Sequence, residues 1–135
     1  MRQERARFIV LDQLYKPESK YMFTLSPDAS TAETTARRPG LHIAPRDLVE
    51  RFGPPLPGSG DRKVSGSYTF TDIRGSVITV YDWKATALYD GRPEADLPSV
   101  KAFWASTEPA EFCVAARGVV DIRAFARWLE ADLAQ

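Results

Sequence analysis

The chain has 135 residues, 44% of them apolar, 27% charged and 11% aromatic. A chain of this size makes one domain, buries roughly two-thirds of its extended surface on folding, and is too apolar for wholesale disorder. Eighteen Lys and Arg balance eighteen Asp and Glu, which disfavours nucleic acid as the main ligand, because phosphate neutralisation calls for a basic excess.

The balance hides a mild asymmetry. Residues 1–67 carry 11 basic and 8 acidic side chains and residues 68–135 carry 7 and 10, a swing from +3 to −3 that is too small to point to a partner. No apolar stretch approaches the length of a membrane span, and Met1-Arg2-Gln3-Glu4-Arg5 leads into no signal-type apolar segment, so the expected compartment is the cytoplasm. The single cysteine, Cys113, precludes an intrachain disulfide, and with one histidine, His42, there is no Cys/His metal cluster. Neither a metal nor a cofactor is expected. The chain contains no Asn, which excludes N-glycosylation and leaves buried polar contacts to Arg, Asp, Ser, Thr and Tyr.

In chain order, residues 2–15 admit two readings. Phe8, Leu11, Leu14 and Tyr15 would share a helix face, whereas Phe8-Ile9-Val10-Leu11 would also open a strand. Pro17 ends either, and Tyr21 to Leu25 reads as a strand. Residues 26–40 hold Ser, Thr, Ala and Asp without a large apolar side chain and read as a loop. Pro45 then opens a short helix with Asp47 in its first turn and Leu48 and Phe52 on one face. Gly53 supplies its left-handed stop, and Pro54-Pro55 forbids continuation. Residues 53–61 read as a flexible Pro/Gly loop.

The clearest local pattern is a β-hairpin over 63–84. Val64, Tyr68 and Phe70 alternate with Ser65, Ser67 and Thr69, and Asp72-Ile73-Arg74-Gly75 supplies the turn. The return strand is apolar on both faces, as a central strand is. Ser99 caps a helix holding Val100, Phe103 and Trp104, and Pro109 stops it. Residues 111–116 form a third strand with Phe112 and Val114 inward. Asp121 caps a last helix, 121–134, on which Ile122, Phe125, Leu129 and Leu133 form an apolar stripe. The predicted fold class is α+β: a small antiparallel sheet with the C-terminal helix packed on one face.

Candidate chemistry is sparse. In Tyr81-Asp82-Trp83-Lys84, strand alternation predicts a core Tyr/Trp pair and an Asp82–Lys84 pair on the wet face; the competing reading is an acid beside a lysine tuned for proton transfer. If the chain were an enzyme, Asp82, Lys84 and His42 would be its candidates. No Gly-x-Ser-x-Gly, Walker or dinucleotide motif occurs, and Cys113, mid-strand, reads as a buried thiol. Arg37-Arg38 and Arg62-Lys63 read as solvated loop charges. The best binding candidates are Arg37, Arg38, Ile73, Arg74, Tyr89 and Asp90: Arg and Tyr favour interfaces, and an exposed Ile at a hairpin tip serves no core.

From Leu48 onward the pattern Leu-Val-Glu-Arg-Phe-Gly-Pro-Pro (48–55), Lys63-Val64-Ser65-Gly66, Tyr68-Thr69-Phe70-Thr71-Asp72, Gly75, Thr79-Val80-Tyr81-Asp82-Trp83-Lys84 and Leu88-Tyr89 resembles small uncharacterised α+β proteins of bacteria and their phages. The resemblance covers residues 48–135 and implies a hairpin before a C-terminal strand and helix. It implies no reaction. The expected function is a non-catalytic module that binds another protein, of inhibitor, immunity or counter-defence type. The alternatives are a small hydrolase-like enzyme using Asp82 and neighbouring carboxylates, and a nucleic-acid-associated domain.

Overall fold

A computed structural model describes residues 23–32, 34, 38–58, 60–92, 95–118 and 120–135. The doubly read segment 2–15, and Arg37, lie outside the described residues. The elements run β1 (Phe23–Leu25), β2 (Arg38–Ile43), α1 (Pro45–Phe52), β3 (Leu56–Pro57), β4 (Gly66–Asp72), β5 (Val77–Tyr81), α2 (Val100–Trp104), β6 (Ala110–Arg117) and α3 (Ile122–Leu133). The strands make one antiparallel sheet in the order β1-β4-β5-β6-β2, with β3 paired to β4 beside β1. The α+β class, the hairpin and the C-terminal helix are as the sequence predicts.

Register fixes which side chains share a face. Tyr68 lies opposite Val80 and Phe70 opposite Ile78, and across the next ladder Val80 meets Val114 and Ile78 meets Ala116. With Phe23, Ile43 and Phe112, these residues form one buried apolar face. The three described helices pack against this face: Leu48 from α1, Phe103 and Trp104 from α2, and Phe125, Trp128 and Leu129 from α3. Aromatic edges fill the centre. The Phe125 ring stands 5.1 Å from Phe23 and 5.4 Å from Phe70. Asp121 caps α3 by accepting from the backbone N–H groups of Arg123 and Ala124, and Ser99 caps α2 by accepting from Ala102. Two polar links brace α1. The Tyr68 hydroxyl donates to the Gly53 carbonyl at 2.6 Å, and burial pushes that phenol up to about 12, so it remains a donor. Arg51 forks onto the buried Asp132 of α3, Nε to Oδ2 at 2.7 Å and Nη2 to Oδ1 at 3.1 Å.

Three expectations need correction. The loop expected over 26–40 gives way at Arg38 to β2, an outer strand that accommodates Pro39 and a bulge between Pro39 and Leu41, where Gly40 takes φ +120°. Within the loop expected over 53–61, Leu56 and Pro57 pair with Ser67 and Gly66. The hairpin strands are shorter than 63–84, because β5 stops at Tyr81 and the chain leaves the sheet at Asp82. Among the described residues, no helix is long and apolar enough to cross a membrane.

Candidate functional site

Asp82 is not on a wet face. It is fully buried, and its carboxylate accepts three hydrogen bonds: Oδ1 from the backbone N–H of Ser65 (2.8 Å) and of Gly66 (3.0 Å), and Oδ2 from the Ser65 hydroxyl (2.8 Å). Ser65 Oγ in turn accepts from the Trp104 indole at 3.0 Å. A chain Trp104–Ser65–Asp82 thus ties α2 to the entry of β4 and the exit of β5. Burial raises the Asp82 carboxyl above the ordinary carboxylate range, and the hydrogen bonds from Ser65 and Gly66 oppose it only in part. Gly66 is obligatory here, since a Cβ would come within 2.8 Å of the Trp104 ring and 2.9 Å of Pro55.

Ser65 also lines a groove of about 580 Å³ between α1 and α2, with Val49, Pro55, Leu56, Val100 and Trp104 among its walls. A serine over a buried acid invites a catalytic reading, but the geometry opposes it. Asp82 is fully buried, and the Ser65 oxygen both donates to it and accepts from the Trp104 indole, so both groups are committed to partners within the fold. The other two catalytic candidates are elsewhere. His42 is exposed and faces Glu111 across the β2–β6 ladder, Nε2 to Oε2 at 4.0 Å. Lys84 turns from Asp82 to aromatic rings, its Nζ 5.5 Å from the Trp83 centroid and 5.1 Å from that of Tyr89. No hydrogen bond or ion pair joins Asp82, Lys84 and His42, so they make no constellation. The expected core pair is corrected too. Tyr81 and Trp83 are half-buried, with centroids 6.5 Å apart, outside the helix-covered core.

The binding candidates fall at two ends of the hairpin. At one end, Ile73 is 91% exposed, on a turn held from below by Asp72. Asp72 Oδ1 accepts from the backbone of Arg74 and of Ser76, both at 2.9 Å. The Gly75 N–H closes onto the Asp72 carbonyl at 3.0 Å, and Gly75 takes φ +81°. Arg74 is exposed and reaches Asp72 Oδ2 at 3.6 Å. At the far end, the exposed Asp90 pairs with Arg62 at 3.1 Å, and the Tyr89 ring lies under Lys84 and Arg92. Arg38 opens β2 and belongs to neither group.

Sequence reasoning missed the far-end cluster as a unit. Lys63 Nζ stands 5.9 Å from the Trp83 centroid and Arg92 Cζ 5.9 Å from that of Tyr89, while Arg92 Nη2 donates to the Lys84 carbonyl at 3.4 Å. Lys84 (φ +56°) and Arg62 (φ +68°) are the non-glycine residues with left-handed backbone among those described, a conformation that fold contacts must hold in place. The Lys84 N–H is fixed to the Lys63 carbonyl at 2.6 Å. No motif announces such a turn; the interleaving of Trp83, Lys84, Tyr89 and Arg92 was the available signal.

Neither protein-family models nor curated proteins yield a match to this chain, so geometry and chemistry alone carry the functional reading.

Proposed function

We propose that the chain is a non-catalytic, intracellular protein-interaction module of inhibitor, immunity or counter-defence type, with the β4–β5 hairpin tip in its binding surface. The observation that carries this reading is the display of Ile73. A large aliphatic side chain stands almost wholly in solvent, on a turn braced by four hydrogen bonds around Asp72. Such a tip adds nothing to the core, and a turn already ordered loses little entropy when a partner closes on it. Arg74 beside it adds a residue type enriched at interface hot spots. The enzyme alternative is less favoured, because Asp82 is fully buried and its hydrogen bonds run to Ser65 and Gly66 of the fold itself.

The deciding experiment pairs two variants in one pull-down with the whole chain as bait. Ile73→Ala with Arg74→Ala should leave the melting temperature nearly unchanged and weaken partner capture by about 1 kcal/mol or more. Asp82→Asn should leave capture intact. A silent tip together with loss of the biological effect in Asp82→Asn would reverse the ranking.

A further inference from the structure

We infer that the cation–aromatic cluster at the far end of the hairpin is a second contact surface, and that it takes a carboxylate-rich segment of the partner protein. This rests on the reading of the chain as a protein-binding module, and it names the chemistry of what that module holds. Four cations converge there, Arg62, Lys63, Lys84 and Arg92. Two have carboxylates of their own chain: Arg62 meets Asp90 at 3.1 Å and Lys63 meets Asp61 at 3.9 Å. Among the described residues no carboxylate comes within ion-pair distance of Lys84 or Arg92. Both instead lie over rings, Lys84 between Trp83 and Tyr89 and Arg92 on Tyr89.

Ring contact orders a long cationic side chain without neutralising it, so these two charges are pre-positioned and remain available to an anion. The same contacts separate acidic protein from single-stranded nucleic acid. A nucleic-acid platform offers ring faces for bases to stack on, whereas Trp83 carries Lys84 and Lys63, and Tyr89 carries Lys84 and Arg92. The faces hold cations, and the cations do the presenting. Gly91 makes room for this arrangement: a Cβ there would come within 2.1 Å of the Tyr89 hydroxyl.

The test uses the full chain and fluorescence anisotropy with a labelled poly-glutamate peptide, and separately with labelled oligothymidylate. Poly-glutamate should bind, more weakly as salt rises. Lys84→Met with Arg92→Met should weaken it about fivefold or more, while Arg123→Ala with Arg127→Ala, which removes two exposed cations of α3, should not. Should Lys84→Met with Arg92→Met lower the melting temperature sharply, Lys84→Met alone carries the same test, since its main-chain N–H, not its ammonium, holds the turn. Absence of poly-glutamate binding, equal losses in the cluster and α3 variants, or tighter capture of oligothymidylate overturns the inference. The tip variant Ile73→Ala with Arg74→Ala should bind poly-glutamate like wild type, so failure of this surface and failure of the tip are read separately.

Discussion

Asp82 has lost contact with water, yet it anchors the point where the chain leaves the sheet. Removing its side chain would orphan the N–H groups of Ser65 and Gly66, so Asp82→Ala should cost about 2–4 kcal/mol in denaturant unfolding. Asp82→Asn keeps an acceptor for those donors and should cost less. The raised pKa fixes the sign of the pH dependence. A carboxyl that holds its proton more tightly in the folded chain contributes stability below the ordinary carboxylate range, and that contribution fades as pH rises through its folded value. The stability of wild type relative to Asp82→Asn should therefore fall as pH rises upward from the ordinary carboxylate range; a difference that grows with pH would contradict the burial account. At this scale the sequence misleads for a definite reason. Period-2 alternation holds only while the strand lasts, and β5 ends at Tyr81, so extrapolation sent Asp82 and Lys84 to one face when they turn to different partners.

Among the elements, α3 was the most legible, because its stripe and its Asp121 cap are both local signals. Phe125 and Leu129 are fully buried as the stripe predicts, and Leu129→Ala should cost about 2–5 kcal/mol through transfer and cavity terms; an unchanged midpoint would detach the helix from the core. What the stripe could not reveal is Asp132, the acid α3 buries for Arg51 of α1. Its hydrogen bonds and charge hold the Arg51 guanidinium more firmly protonated than usual. Arg51→Ala should cost about 2 kcal/mol by leaving a buried carboxylate without that partner, and Arg51→Leu with Asp132→Leu should recover much of the loss. If the double variant is no better than the single, burial of the unpaired charge is not the source of the cost. The strand β2 was illegible for the opposite reason: Pro39 and Gly40 argue against a strand anywhere but at an edge, and edge position is decided by the distant β6.

At the scale of the molecule, the pairing of residues 38–43 with 110–117 means the sheet is complete only when both halves of the chain have met. Cys113 reports on that event. It is buried, between β5 and β2, so a thiol reagent should label it at the rate of global unfolding, rising with denaturant as unfolding does. Rapid labelling of the native chain would place the thiol elsewhere. Fold class was readable because hairpin, caps and stripe are local; strand order was not, because it depends on contacts far apart in the chain. The far-end cluster was half-readable, its residues visible and its turn hidden. The outer strands carry one more consequence, for behaviour at high concentration. On one side the described sheet ends in two fragments, β1 of three residues and β3 of two, the latter with a proline. On the other it ends in a bulged strand whose Pro39 has no N–H to donate. Among the described residues neither side offers a long, regular row of backbone groups to a second sheet, so these edges give edge-to-edge fibril growth little to copy even beside an isoleucine projected into solvent.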